Sequence, residues 1–392
     1  MDDRHRPLVA VSHIIHQYFL ALLIGAYALA GLFPAAGLCI YHVTFGRVTL
    51  WGETTRVSLP MVMLAWLLLN AGLGVETGRL KSLLRRPHVL LAGLAANLLV
   101  PVAFIFAVSV VMRLWHNPDE VQVILVGLAL VAAMPIAGSS AAWTQNARGD
   151  LALGLGLVLA STLLSPLTTP MVFELVEQMA TGEYAQVLDG LEGNGTGALL
   201  ILCVLLPSVL GMAARPVIGA ARLARARPVL KLVNSVNLLL LNYANASVSL
   251  PQIVAAPDWD FLAVSLAVVV ALCVSAFGSG WYLARLLRAD PAQRAALMFG
   301  LGMNNNGTGL VLASMALANQ PRALLAIIFY NLVQHLVAGV VDVLITRTPP
   351  PLSPEAGPED GGRAALQAAE RRLPEAPATG ITPNHPPHLT AA

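Results

Sequence analysis

The chain consists largely of apolar blocks of about 20 residues that follow one another from Tyr18 to Ile345. A helix of that length rises about 30 Å, which matches the hydrocarbon thickness of a bilayer. Of the 392 residues, 57% are hydrophobic and 11% are charged, and the mean hydropathy is +0.71. Soluble domains carry about 25% charged residues. The sequence therefore excludes an ordinary soluble domain and predicts an all-α polytopic membrane protein.

Ten such blocks predict ten membrane-spanning helices. In chain order they are Tyr18–Cys39, Leu59–Val75, Val89–Val111, Val121–Asn146, Leu151–Phe173, Thr196–Ala214, Leu232–Ile253, Phe261–Leu283, Ala295–Leu317 and Ala323–Ile345. Residues 1–17 are predicted as an N-terminal extension and residues 18–346 as the ten-span domain. Residues 347–392 are rich in proline and charge, which predicts a disordered tail.

The placement of Lys and Arg predicts the orientation of the spans. The odd-numbered loops carry only Arg47, Arg56, Arg113 and Arg322, and the other 19 of the 23 basic residues lie in the N-terminus, the even-numbered loops with their edges, and the tail. Cytoplasmic loops are enriched in these residues. Both termini are therefore predicted in the cytoplasm, in a multi-pass protein of the cell's inner (plasma) membrane.

Two of the predicted spans are interrupted. The ninth contains Met298–Gly309, with three consecutive asparagines and four glycines, and the fourth contains Met134–Ser140, with Pro135. Irregular backbone survives at membrane depth only where it is buried in protein or lines a cavity. Five spans per half give two inverted halves, so the breaks occupy corresponding positions. Paired breaks of this kind point to the midplane site of a secondary transporter, and half-helix N-termini there favour an anionic group.

Several motifs carry a resemblance to a known family. They are Met134–Ser140, Asn146–Leu153, Ser161–Pro170, Gly302–Gly307 and Tyr330–Asn331. At these residues the chain resembles the bile acid:sodium symporter family, within the bile/arsenite/riboflavin transporter group. The resemblance implies a panel domain of spans 1, 2, 6 and 7 and a core domain of spans 3–5 and 8–10, in which the broken spans 4 and 9 cross. It also implies an organic anion as substrate and sodium as the driving ion.

The chain departs from that family at the sodium sites. Gly300 stands where the family usually has a Glu that touches both ions, and Ala96, Ala141, Gly154 and Val158 stand at other polar positions. The residual sodium-site positions are Ser140, Asn304 and the backbone carbonyls of Leu301 and Met303. Hard cations need about six oxygen ligands, carboxylates among them. We therefore expect no sodium coupling of the usual type, and no cofactor.

Polar side chains at the crossing are the candidates for substrate contact. The candidates are Ser139, Ser140, Asn304, Asn305, Asn306, Thr308, Asn331 and Asn242. The resemblance makes Asn305 the first choice, because it falls on the family's substrate-contacting Asn. The alternative is that these groups satisfy broken backbone and join neighbouring helices. The asparagines of the seventh span, which include Asn242, roughly share one face, and as a polar cavity wall they favour a small hydrophilic substrate.

A proton relay could replace sodium, and it needs an ionisable residue inside the membrane. The candidates are Asp342, Glu76, His335 and Asp150. Asp342 and Glu76 lie near predicted span ends, where they can reach the interface, and Asp150 can cap the fifth span. His335 is either a buried, hydrogen-bonded histidine or a proton carrier. Passive transport down the substrate gradient stays open.

These features predict a secondary transporter of a small organic anion that works by alternating access. One alternative is an arsenite-type or other anion effluxer, although the arsenite branch has a reactive Cys where this chain has Ile136–Gly138. Another is a non-transporting membrane sensor with the same fold. An enzyme is not expected, because the sequence shows no nucleophile–base pair. The predicted partners are the anion and the lipid bilayer, without nucleic acid, and the oligomeric state stays open.

Overall fold

A computed structural model describes residues 18–50, 53–75, 87–193, 196–316 and 320–347 of the chain. The predicted N-terminal extension, Glu76 and the predicted tail beyond residue 347 lie outside the described residues. The chain divides into two units, residues 1–346 and residues 347–392, and apart from Arg347 every element below belongs to the first.

The first half of the chain contains seven helices and one β-hairpin among its described residues. They are α1 (Phe19–Leu32), α2 (Ala35–His42), β1 (Thr44–Leu50), β2 (Glu53–Ser58), α3 (Leu59–Gly74), α4 (Pro87–Val111), α5 (Pro118–Ala132), α6 (Ser139–Asn146) and α7 (Leu151–Glu177). Two of the helices begin at side-chain caps. The side chain of Asn117 accepts from the N–H of Asp119 before α5, and that of Asp150 accepts from the N–H of Leu153 before α7.

The second half is helical throughout its described residues. Its elements are α8 (Glu183–Gly193), α9 (Thr196–Leu200), a π-helical turn (Ile201–Leu205), α10 (Leu206–Ile218), α11 (Ala220–Ala255), α12 (Trp259–Leu286), α13 (Pro291–Gly302), α14 (Asn306–Ala316) and α15 (Leu324–Arg347). Short 3₁₀ turns follow α4 at Met112–Leu114 and precede α15 at Pro321–Ala323. α13 begins with a capping box between Asp290 and Gln293, which satisfies two of the backbone N–H groups at its start.

Several of these helices are suited to a bilayer. Among the described residues, six are long and apolar enough to cross a membrane: α4, α7, the continuous helix α9–α10, α11, α12 and α15. The bent pair α1 and α2 makes seven if it counts as one span. The chain is therefore a predominantly helical, polytopic membrane protein, as its apolar blocks predict.

The structure adds detail at two places that the predicted spans do not give. The first predicted span consists of two helices, because the chain bends by 94° between α1 and α2. Pro34 lies at this bend and lacks the N–H that would continue the helix. The sixth loop, predicted between Ala214 and Leu232, is also helical apart from Gly219. Gly219 has φ +84°, a backbone conformation that only glycine adopts at low cost.

The β-hairpin and α8 were not predicted, since both lie between apolar blocks. β1 and β2 pair antiparallel, with Arg47 opposite Arg56. α8 is short and amphipathic, and it buries Tyr184, Leu188 and Leu191 against the core. Neither element contributes to the crossing of the broken spans.

The helices that carry the breaks lie at the centre of the packing. In α5 every side chain from Glu120 to Ala132 is buried except Gln122, so this helix has neighbours on all sides. The exposed apolar side chains lie mainly on the long outer helices. A helix that is buried on all sides lies in the interior of the protein, so the first break begins away from the protein surface.

Candidate functional site

The two predicted breaks lie against each other in the structure. The N–H of Ala137 donates to the carbonyl of Met303 at 2.9 Å, and the N–H of Asn305 donates to the carbonyl of Pro135 at 2.8 Å. The two segments run antiparallel at this contact. Each break thus supplies hydrogen-bond partners that the other lacks, which is what irregular backbone requires inside a membrane.

The helix that follows each broken span, α7 or α15, supplies a side chain that satisfies a further backbone group of the break. Ser161 of α7 accepts from the N–H of Ile136 at 3.0 Å. Gln334 of α15 accepts from the N–H of Asn304 at 2.9 Å. The two residues whose N–H groups are satisfied in this way, Ile136 and Asn304, are the ones that pair at the crossing.

The ends of the half-helices before the breaks are satisfied in the same way. The hydroxyl of Thr169 in α7 donates to the carbonyl of Ala133 at 2.8 Å. The hydroxyl of Tyr330 in α15 donates to the carbonyl of Gly302 at 3.1 Å. The last carbonyls of a helix have no partner within it. α7 and α15 therefore hold the breaks open while keeping their backbone hydrogen-bonded.

Asn304 is buried and hydrogen-bonded to two neighbouring helices. Its side chain is 5% exposed, and its Nδ2 donates to the carbonyl of Val131 at 3.0 Å. Its own carbonyl accepts from Nε2 of Gln334 at 3.3 Å. These contacts join Asn304, which follows α13, to α5 and α15. They agree with the alternative interpretation, in which the asparagines join neighbouring helices.

A buried network of four polar side chains continues from the crossing. Nδ2 of Asn306 donates to Oδ1 of Asn331 at 2.9 Å. Nδ2 of Asn331 lies 2.8 Å from both Oδ1 of Asn242 and the hydroxyl oxygen of Tyr27. The Tyr27 hydroxyl donates to Oδ1 of Asn242 at 2.7 Å. The network joins α1, α11, α14 and α15, and it brings three of the predicted site residues together.

Sequence reasoning missed Tyr27 and Gln334 in this region. Tyr27 lies within an apolar block, and Gln334 follows Asn331 by three residues and so shares its helix face. The signal that could have found Tyr27 is its hydroxyl, because a buried tyrosine normally finds a hydrogen-bond partner. Its partners are distant in sequence, so the residue alone could not name them.

Several buried polar atoms near the crossing have no hydrogen-bond partner. Among the described residues they include the hydroxyls of Ser140 and Thr308 and the Oδ1 atoms of Asn306 and Asn245. Leaving such an atom buried and unpaired costs about 1–3 kcal/mol, and in native proteins it calls for a ligand, water or ion. These four atoms lie on α6, α14 and α11.

Two predicted substrate contacts remain reachable. Ser139 is exposed at the start of α6, and Asn305 is half-buried just before α14. The neighbours of Gly307 show which helices face the start of α14. A Cβ atom added to Gly307 would lie 3.4 Å from the side chains of Leu64 in α3 and Leu241 in α11. The start of α14 therefore faces these two helices.

The positions that correspond to the family's sodium sites lie against both apolar and polar groups in this chain. A Cβ atom on Gly300 would lie 2.9 Å from Cδ1 of Leu157, which is fully buried. Gly154 faces Thr144, whose hydroxyl donates to the carbonyl of Ser140. Leu301 is buried, and the carbonyl of Met303 already accepts from Ala137. The buried residues packed with Leu157 are Val89, Ile136, Leu153, Ala284, Ala296 and Leu297.

The candidate proton carriers are placed as follows. Asp150 caps α7, and this prediction is confirmed by the 3.0 Å contact of its Oδ1 with the N–H of Leu153. Nδ1 of His335 lies 2.7 Å from the carbonyl of Asn331, so this histidine is hydrogen-bonded. Asp342 is half-buried near the end of α15.

Comparisons with known proteins agree with the motifs at the crossing. The model of the SBF-like CPA transporter family matches residues 17–346. The chain is 25% identical over 223 residues to "Uncharacterized protein YbaS" of Bacillus subtilis (strain 168), covering 57% of this chain and 69% of that protein. It is 25% identical over 257 residues to "Uncharacterized sodium-dependent transporter YocS" of the same organism, covering 64% of this chain and 73% of that protein.

Proposed function

The chain belongs to the SBF-like CPA transporter family, and on this premise we propose that it is a secondary transporter of a small organic anion that works by alternating access. A transporter binds a small-molecule substrate and lies in a bilayer, and it is not an enzyme. The pairing of two broken helices, each completing the backbone of the other, is the observation that carries the proposal.

We further propose that the helices form two inverted repeats of five spans. The spans of the first half are α1 with α2, α3, α4, α5 with α6, and α7. Those of the second half are α9 with α10, α11, α12, α13 with α14, and α15. Breaks then fall at the fourth position of each half. The equivalent contacts of Ser161 and Gln334 on the paired residues Ile136 and Asn304 support this symmetry.

The substrate site is proposed at the crossing. The positive ends of the half-helices α6 and α14 begin there, and a helix N-terminus attracts anions. Asn305 and Ser139 are the accessible polar residues, and Ser140 and Thr308 carry buried hydroxyls without partners. An anion with several hydrogen-bonding groups could pair with these donors, whereas a bulky steroid would leave the buried polar atoms of α11 and α14 unpaired.

We also propose that transport is not coupled to sodium in the family's usual way. The apolar contact between Gly300 and Leu157 supports this, because it leaves no carboxylate and no space for one without rearrangement. The side chains of Ala96, Ala141 and Val158, at other polar positions of the family's sites, offer no oxygen either. The words "sodium-dependent" are part of the name of the relative YocS. Uptake measured with and without sodium tests the coupling ion of this chain.

An arsenite-type effluxer is less well supported than an organic-anion transporter. Residues 136–138 of the first break are Ile, Ala and Gly, and none of them is a thiol. Cys203 and Cys273 are buried in other helices, and Cys39 is exposed in α2. A soft metalloid ligand would need a thiolate at the crossing.

Transport can be tested with the purified full chain in proteoliposomes. A thermal-shift screen of a 2-keto acid, a pantoate-like hydroxy acid and a steroid sulfate would first select a stabilising anion. Counterflow of the radiolabelled anion is then expected in loaded vesicles, but not in empty liposomes or with the substitution Asn305→Ala. Stabilisation without flux would support the sensor alternative. If no carboxylate or sulfate stabilises the chain or exchanges across the membrane, the organic-anion proposal fails.

A further inference from the structure

A cluster of metal-ligating side chains lies away from the crossing, at His116, Glu120 and Asp260. One ligand atom of each residue lies within 4.8 Å of those of the other two. Nε2 of His116 is 3.2 Å from Oδ2 of Asp260. Two ligands of a tetrahedral ion with bonds of about 2.0–2.1 Å stand about 3.3 Å apart, so this pair is already spaced like ligands of one ion.

The carboxylate of Glu120 is buried and held in place. The residue is 5% exposed. The indole N–H of Trp115 donates to its Oε2 at 2.7 Å, and Nδ2 of Asn117 donates to its Oε1 at 2.8 Å. Each carboxylate oxygen can accept more than one bond, so both donors can stay while one oxygen binds a cation. Donors that orient a ligating carboxylate in this way are typical of metal sites.

The charges around the cluster favour a bound cation. Arg322 forms an ion pair with a carboxylate outside the cluster, since its Nη1 lies 3.6 Å from Oδ2 of Asp258. Among the described residues, no Lys or Arg lies within salt-bridge distance of Glu120 or Asp260. The cationic partner of Asp260 is His116, which carries a positive charge only when protonated and is a metal ligand when neutral. A buried carboxylate beside another carboxylate is costly without a cation.

We propose that His116, Glu120 and Asp260 bind a divalent transition-metal ion such as Zn²⁺, with water at the remaining positions. One imidazole and two carboxylates suit Zn²⁺ and related ions, whereas Mg²⁺ prefers oxygen ligands in a strict octahedron. The side chains of His116 and Asp260 are 60% and 54% exposed, so an ion can enter from solvent. The ion links the start of α5 to the first turn of α12, so it stabilises the packing of these helices.

Metal binding can be measured directly on the full chain in detergent, purified without a polyhistidine tag and stripped with a chelator. Titration with ZnCl₂ is expected to show one ion per chain, a raised midpoint of thermal unfolding, and no comparable signal with MgCl₂. His116→Ala and Asp260→Asn should each weaken Zn²⁺ binding by about tenfold or more. His88→Ala and Asp119→Asn are the matched controls, because these residues lie outside the cluster, and both should bind Zn²⁺ like the unmodified chain.

Spectroscopy separates this site from adventitious binding. Co²⁺ added in place of Zn²⁺ should give visible absorption bands typical of four or five N/O ligands, and His116→Gln should abolish them while the variant remains monodisperse. The proposal is wrong if the unmodified chain binds no Zn²⁺ at micromolar concentration. It is equally wrong if the His116 and Asp260 variants, shown to be folded, bind the ion as well as the controls do.

Discussion

The side-chain amide of Asn331 donates a hydrogen bond to the hydroxyl oxygen of Tyr27 at 2.8 Å, joining the last described helix to the first. The same amide contacts Asn242, and the carbonyl oxygen of the Asn331 side chain accepts from Asn306. In the proposed architecture Tyr27 and Asn242 belong to the panel, and Asn306 and Asn331 belong to the core. We therefore propose that this buried network is a polar latch between the two, because a movement of core against panel would break it.

We expect Tyr27→Phe to weaken the latch without unfolding the protein. The substitution removes one hydroxyl, while the contact between Asn331 and Asn242 at 2.8 Å can persist. The loss should be about 1–3 kcal/mol, because the hydroxyl makes two hydrogen bonds, one donated to Asn242 and one accepted from Asn331. Asn331→Ala should cost more, since it leaves Asn306 and Asn242 without their partner. Thermal unfolding in detergent measures both effects.

The control for this series is Tyr282→Phe, because Tyr282 is 64% exposed on α12. It should leave the unfolding midpoint unchanged. If Tyr27→Phe and Tyr282→Phe give the same midpoint, and the exchange rate of the labelled anion is also unaffected, the network is not a latch.

The asparagines at the crossing are expected to separate into one structural and one functional residue. Asn304 is buried and donates to the carbonyl of Val131, so Asn304→Ala should destabilise the fold by about 1 kcal/mol through the loss of this hydrogen bond. Asn305 is half-buried, and Asn305→Ala should leave the unfolding midpoint nearly unchanged while lowering anion affinity. Unchanged affinity in Asn305→Ala would remove this residue from the site.

The sequence predicted the existence of both breaks because their residues violate the rules of a lipid-exposed helix. Pro135 and the asparagine run are local signals, and the inverted halves placed them together. The hydrogen bonds that Ser161 and Gln334 accept from the breaks could not be predicted in detail, because they depend on how α7 and α15 pack against the breaks. Hydropathy also marks where apolar surface is needed, but not where a helix bends, so the 94° turn before α2 was missed.

The same limit applies to the cluster at the start of α5. The sequence does not indicate a metal site at these residues, since His116 and Glu120 lie far from Asp260 along the chain. Their approach is set by the packing of α12 against α5. Local signals were sufficient at Asp150, where an N-cap followed by an apolar helix predicted the observed hydrogen bond to Leu153.

Two glycines before the second break should respond differently to the same substitution. A Cβ atom on Gly302 would overlap the ring of Phe277, which is rigid and buried, so Gly302→Ala should destabilise by about 1–3 kcal/mol. A Cβ atom on Gly300 meets the end of the Leu157 side chain at 2.9 Å, and that end can rotate. Gly300→Ala should therefore cost less, as judged by unfolding midpoints. The opposite order would mean that the packing on the two sides of α13 is misassigned.

Sodium should neither stabilise the protein nor drive its transport. The position of the missing carboxylate, Gly300, packs against Leu157, and Ala96, Ala141 and Val158 offer no side-chain oxygen. A hard cation would find no carboxylate and too few side-chain oxygens there to replace its hydration shell. We therefore expect equal unfolding midpoints in NaCl and choline chloride at the same ionic strength, and equal initial rates of anion uptake when choline replaces sodium outside the vesicles. A steep dependence of uptake on sodium, accompanied by stabilisation by sodium in detergent, would show that the ion binds through oxygens other than those of the family's usual sites.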